Sequence, residues 1–223
     1  MNRISTLLLI FLVLTAPVYA QKPAAEDAGY NQVIAARAYK IVNTLGIADS
    51  AKFKRVQNII IDQYRNLSII HDTRNAQVKE IKQQAADDKT AAAAKIKAID
   101  DDVDARLGKL HTAYLAKLGA ELDARQIEQV KDAMTYNKVA VTYKGYLAEI
   151  PTLTELQKEQ IKAWLVEARE IAIDAESSEK KTAVFGKYKG RINNYLSAQG
   201  YDMKKEGEEW QKRIKANSTP KTN

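Results

Sequence analysis

The chain has 223 residues with no cysteine, two histidines, 45% hydrophobic residues and a formal net charge of +7. Lacking cysteine, it has no disulfides, thiol catalysis, zinc–thiolate sites or lipid-modified cysteine. Lysine and arginine are interleaved with Asp and Glu along the whole sequence, the pattern of a solvated helix surface rather than a nucleic-acid stripe, and the length suits one domain with at most an extension.

Arg3 precedes an apolar run from Ile4 to Ala16, broken by Pro17 and followed by Val18, Tyr19 and Ala20. One positive charge, an apolar run short of the ~20 residues a membrane helix needs, and small residues near Ala20 predict a secretory signal peptide over 1–20. Cleavage after Ala20 gives a periplasmic or secreted protein with a net charge of +6, since Arg3 is the only charge removed. The competing reading is an uncleaved N-terminal anchor. Residues 21–27 read as a flexible leader, and nothing later suggests a membrane span.

Helical period begins at Ala28. Val33, Ala36, Ala38, Ile41, Val42 and Leu45 recur at three- and four-residue spacings up to Gly46, which stops a short first helix. Asp49 or Ser50 caps the next helix, with a stripe of Phe53, Val56, Ile60, Tyr64, Leu67, Ile70 or His71, Val78 and Ile81. A polar stretch around Ala86 to Thr90 is the expected reversal. The stripe then returns through Ile96, Ile99, Val103, Leu107, Leu110, Tyr114 and Leu118, ending at Gly119. Two long helices over 50–118, paired as an antiparallel, coiled-coil-like hairpin, follow from this spacing, and the charged tip is expected to project into solvent.

Asp123 with Gln126 forms a capping box for a helix over Ala124 to Met134. In TYNKVAVTYKGYLAEIP, Val139, Val141 and Tyr143 alternate over too few residues for a sheet, so the segment is expected to be an ordered crossover loop. Thr154 with Gln157 forms a second box, opening a helix with Ile161, Trp164, Leu165, Ala168, Ile171 and Ala175 inward. Ser177 or Ser178 opens another, with Val184, Phe185, Tyr188, Ile192, Tyr195 and Leu196 inward and Gly200 beyond its end. A basic helix from Met203 to Ala216 precedes a disordered tail over 218–223. The expected fold is therefore all-α: one domain over 28–217, the hairpin projecting from a C-terminal helical core over 123–217.

No Ser/His/Asp arrangement, nucleophile elbow, phosphate loop or dinucleotide fingerprint occurs, so no catalytic residue, cofactor or enzymatic activity is expected. His71 and His111, lacking patterned carboxylates, read as structural or surface histidines rather than metal ligands. Asp100, Asp101, Asp102 and Asp104 splay around a helix instead of alternating around a glycine turn, which excludes a calcium loop. Glu167, Glu170 and Asp174 share a helix face, whereas glycosidase carboxylates come from separate elements; with Arg169 and lysines nearby they read as helix-surface ion pairs.

What remains is FGKYKGRINNYLSAQGY, residues 185–201, together with MTYNKVAVTYKGYL, residues 134–147. Lys187, Arg191 and Asn194 share one side of a helix, and Gly186 and Gly190 would admit a close neighbour. Tyrosine rings stack on sugar faces while Asn and Arg hold hydroxyl pairs, so Tyr136, Asn137, Tyr143, Tyr146, Lys187, Arg191 and Asn194 form a candidate oligosaccharide site. The same residues equally suit a helix that hydrogen-bonds a buried crossover loop.

These two stretches, with LTELQKEQIKAWLVEARE and DAESSEKK between them, resemble an uncharacterised family of exported helical proteins from polysaccharide-degrading bacteria that carries only a sugar-binding label. The resemblance runs the full length after the signal and is most specific over Lys187 to Tyr195. The family's pattern places a Gly before the Ser pair and a His after the basic pair, where this chain has Glu176 and Thr182. It implies a non-catalytic carbohydrate-binding protein linked to polysaccharide use. LTELQKEQI is also similar to the leucine-threonine-x-x-glutamine motif of periplasmic helical chaperones and stress sensors, with LDARQIEQV a degenerate second copy. The alternative is thus a chaperone or assembly adaptor that grips another envelope protein through the hairpin tip.

Overall fold

The computed structural model describes residues 28–84 and 88–218; the expected signal and leader, residues 85–87 of the reversal and residues 219–223 of the expected tail lie outside them, while Ser218 is the last residue of a helix. Every regular element among the described residues is helical: α1 (Ala28–Asn43), α2 (Ser50–Gln84), α3 (Lys89–Gly119), α4 (Ala124–Met134), α5 (Lys138–Glu149), α6 (Glu155–Ala172), α7 (Ser178–Ala198) and α8 (Met203–Ser218).

The helix starts follow from local chemistry. Asp49 Oδ1 accepts from the amides of Ala51 and Lys52 at the head of α2. Asp123 and Thr154 both close reciprocal capping boxes, with Gln126 and Gln157, and Ser177 caps α7 through the Lys180 amide. Such caps satisfy amide donors that have no partner within the helix, each stabilising it by about 1 kcal/mol.

Two hydrophobic cores result. The first is built by α1, α2, α3 and α4 around Ile34, Val42, Val56, Ile60, Leu118 and Val130. The second joins α5, α6 and α7 around Tyr146, Ile161, Leu165, Phe185, Ile192 and Leu196, with Met203 of α8 against it. Helices α2 and α3 pair along their length. The hairpin roots in the first core, and between residues 76 and 110 only Val78 and Val103 are buried among the described residues. Its outer part is a stalk held by pairing across the seam, including Arg74 to Asp100 at 2.8 Å.

Several expectations need correction. The crossover loop is helix α5: Val139, Tyr146 and Ile150 fall seven and eleven residues apart on one buried face, while Val141 is 65% exposed, so the apparent alternation is one face of a 3.6-residue period. In α1, Val33 and Ala36 face solvent and Ile34 takes the inward place with Ala38, Ile41 and Leu45. In α6 the stripe Ile161, Leu165, Ala168, Ala172 turns Ile171 outward, one residue and ~100° off the buried line. No atom lies within 4 Å of where a Cβ of Gly186 or Gly190 would stand, so these glycines admit no close neighbour.

Because the stalk buries so little, replacing residues 79–95 by a short glycine-containing turn is expected to lower the unfolding midpoint by no more than about 4 °C, the shift that ~1 kcal/mol produces in a domain of this size. Thermal melts followed by circular dichroism measure it.

Candidate functional site

A cleft of about 460 Å³ opens between helices of the first core and the loop that leads from α6 into α7. Helix α1 contributes Tyr30, Arg37 and Lys40 to its lining, and α2, packed beside it, contributes Tyr64, His71 and Asp72. The turn between α4 and α5 adds Tyr136, and the loop from Ala175 into α7 adds Glu176, Ser177, Ser178 and Lys181. Three phenol rings thus line a space rimmed by groups of both charges. Burial pushes the Tyr64 hydroxyl up to about 12, against the opposing pull of Arg37. The Tyr30 hydroxyl donates to the Tyr64 carbonyl at 3.0 Å, tying α1 to α2.

Lys181 is buried on the inward stripe of α7, four residues before Phe185. Its ammonium donates to the carbonyls of Ala172 and Ile173 at 3.0 and 2.7 Å, at the open C-terminal end of α6. Burial outweighs the attraction of Asp174 and brings the amine down to about 8.

The far end of α6 is fastened into the hairpin beside the cleft. Ile173 is fully buried in the first core. Asp174 accepts from Gln63 at 3.2 Å and from His111 Nδ1 at 2.6 Å, and its carbonyl faces His71 Nε2 at 2.9 Å. One turn back, the Arg169 side chain is almost wholly enclosed and donates to Asp132, Glu128 and Glu170, and Lys131 pairs with Glu128 and Glu170. These partners hold the guanidinium's pKa above its ordinary value even though burial opposes it. The hydrogen bond from His111 to Asp174 outweighs desolvation and raises the imidazole above its usual value, helped by Glu170 and opposed by Lys131.

The α4–α5 turn carries the strained backbone of the cleft. The Tyr136 amide donates to the Ala133 carbonyl at 3.2 Å and the Asn137 amide to the Asp132 carbonyl at 2.8 Å, the paired bonds of a Schellman C-cap. Helix α7 ends in the same way, with Gly200 at φ +94°. At α4 the equivalent left-handed position holds Tyr136, at φ 59°, followed by Asn137 at φ 54°. Glycine occupies that region freely, while a bulky side chain costs of order 1–3 kcal/mol there.

Compared with known families, residues 31–216 match the model described as Protein of unknown function (DUF3826). The chain belongs to the DUF3826 family. No curated protein matches it.

The residues singled out from the DUF3826 sequence fall in three places. Tyr136 lines the cleft and Asn137 sits beside it without a side-chain cap bond. Tyr143 packs half-buried against the second core, where Tyr146 is buried and donates to Asn193 Oδ1 at 2.7 Å. Lys187, Arg191 and Asn194 are exposed on α7. There Arg191 lies 4.4 Å above the Trp164 ring and 3.4 Å from Glu167, which also accepts from the Tyr188 hydroxyl. Glu167 is therefore in a surface ion pair, whereas Glu170 and Asp174 belong to the enclosed junction network, contrary to the expectation of helix-surface pairs. Both histidines lie in that network, facing Asp174.

Tyr30, Arg37, Tyr64, Asp72 and Lys181 were missed as site residues. Lys181 and Tyr64 did carry a signal, a charge or phenol standing inside an apolar stripe, before Phe185 and between Ile60 and Leu67 respectively, whereas Arg37 lies off the buried line of α1 and carried none. No described helix is long and apolar enough to cross a membrane, and no described cluster of His, Asp and Glu is arranged to hold a metal ion.

Two outcomes follow for the junction. Arg169→Met leaves Asp132 without its cation and Glu128 and Glu170 to Lys131 alone, and is expected to cost about 3 kcal/mol in urea unfolding, the low end for a broken buried pair. His111 has a folded pKa raised above its unfolded value near 6.5, so its contribution is complete below that pH and fades as pH rises through the folded value. The stability advantage of the wild type over His111→Gln should therefore shrink steadily above pH 6.5; a pH-independent difference would exclude this linkage.

Proposed function

We propose that this protein is a non-catalytic carbohydrate-binding protein of the cell envelope that takes a short oligosaccharide in the cleft between α1, α2 and the α6–α7 loop. The observation that carries this reading is Tyr136, a bulky ring kept at the cleft mouth in a backbone conformation that glycine occupies at far lower cost. A ring held there against its own backbone preference is explained by a contact that only an aromatic face supplies. Tyr30 and Tyr64 add further phenol surface, and Asp72, Glu176 and His71 supply acceptors and donors for hydroxyls. Pockets of this size, largely apolar with a few convergent polar groups, suit small ligands. Export rests on the Arg3 and Ile4–Ala16 pattern, and the non-catalytic character on the lack of a recognisable nucleophile or acid pair.

The second reading, an envelope chaperone or assembly adaptor, draws on the sparsely packed stalk. The chain trimmed over residues 79–95 separates the two. Retained saccharide binding with lost protection of an aggregating client supports the adaptor as an additional role, and lost saccharide binding removes the cleft.

Tyr136→Gly is the direct test. It should stabilise the fold by roughly 1 kcal/mol through relief of the strained backbone. It should also weaken a saccharide identified on a glycan array at least tenfold. A glycan array without any ligand would remove the carbohydrate reading, and a Tyr136→Gly protein that binds as well as wild type would move the site elsewhere.

A further inference from the structure

The charges at the cleft mouth distinguish one class of sugar from another. Arg55, Arg65, Arg74, Arg106, Arg169 and Arg191 each face a carboxylate elsewhere in the fold. Arg37 and Lys40 do not: among the described residues neither makes a hydrogen bond or salt bridge, and both line the cleft from neighbouring turns of α1. Arg37 shares the cleft lining with Tyr64 and Lys181, and its charge acts on both. Of the cleft's carboxylates, Asp72 accepts from the Ser68 hydroxyl at 2.9 Å and Glu176 from the Asn75 amide at 2.8 Å. Glu176 is exposed, and an ionised carboxylate offers about four lone-pair sites, so it keeps acceptor capacity for a hydroxyl. The two cations lie on α1 and Glu176 on the loop into α7, so a ligand with a hydroxyl on one edge and an anion on the other would satisfy both.

We infer, resting on the saccharide reading above, that the cleft selects a carboxylate-bearing sugar, a uronic acid, whose acid group is held by Arg37 and Lys40 while its ring stacks on the tyrosines. A planar guanidinium matches a carboxylate in a two-pronged pairing that a neutral sugar cannot offer. A simple inorganic anion or an acidic peptide would leave the phenol surface and the Glu176 acceptor unused.

The test is calorimetric titration of the full chain with a panel of acidic oligosaccharides (trigalacturonate, an alginate trimer, a hyaluronan tetrasaccharide), the methyl esters of each, neutral trisaccharides, and short polyglutamate. At least one acidic sugar should bind ten or more times tighter than its ester, and Arg37→Gln with Lys40→Gln should abolish that preference. Both positions are exposed, so the double variant should retain the wild-type melting curve, and Arg125→Gln, at another exposed arginine, serves as the surface-charge control. Equal affinity for acid and ester, or polyglutamate binding as tightly as the acidic sugar, would overturn the inference while leaving the saccharide reading in place. Loss of preference in Arg125→Gln as well would overturn it as unspecific surface attraction. Failure of every sugar, neutral or acidic, would overturn both.

Discussion

The attachment of the α6 end to the hairpin decides the shape of this molecule. Each core is a small helical assembly, and the stretch from Arg169 to Asp174 carries most of the polar ties between them. Ile173 supplies apolar burial in the first core, while Asp174 is gripped by side chains from both arms of the hairpin. Hydrophobic contact alone is non-directional, so Ile173 by itself would tolerate many orientations. The hydrogen bonds from Gln63 and His111, and the clasp of Arg169 on Glu128 and Asp132, accept only one. Buried ion clusters are weak evidence for net stability, because desolvation consumes much of the attraction. Their contribution here is registry, and the cleft is the space that this registry leaves open.

Much of the fold was legible in the sequence, and for identifiable reasons. Capping boxes at Asp123 and Thr154, the left-handed glycines at 46 and 200, and the stripes of α2, α3 and α7 are local signals, each set by residues within a turn or two of one another. The segment that became α5 was misread because Val139, Val141 and Tyr143 satisfy a period of two over too short a window. Extending the window to Tyr146 and Ile150 restores the helical period. Its start gave no cap signal, since Asn137 caps with no side-chain bond and the break is made by two left-handed residues that are not glycine.

The site was less legible than the fold. Amino-acid type says that Tyr, Asn and Arg can hold a sugar, but not which of them are already occupied. Arg191 has the right chemistry, yet it is stacked on Trp164 and faces Glu167; Tyr146 has a hydroxyl spent on Asn193. Occupancy is a property of tertiary neighbours, separated here by between 24 and 47 residues. The reverse holds for Arg37, which is unremarkable in sequence and becomes conspicuous only once the fold sets it in the cleft lining without an ion pair among the described residues. Lys181 and Arg169 did leave a trace. A full charge on the buried line of an amphipathic helix must find partners in the interior, and both find them at the junction.

The position of the cleft also constrains how a ligand would act on the protein. Its walls belong to different parts of the structure: α1 and α2 to the first core, the α6–α7 loop to the chain that links both, and Tyr136 to the short turn between α4 of one core and α5 of the other. Anything bound across these walls would contact α1 and α2 on one side and the α6–α7 loop on the other, and it is the loop's placement that the engagement of Asp174 and Arg169 holds. Binding free energy then adds directly to the junction, by RT ln(1 + [L]/Kd), about 2.7 kcal/mol at a hundredfold excess over Kd. That is comparable with the cost of breaking a buried charge cluster. Ligand occupancy and the ionic clasp therefore stabilise the same arrangement, one from the open side of the junction and one from the closed side, and the strain kept at Tyr136 is tolerated because the fold on both sides of the turn is held independently of it.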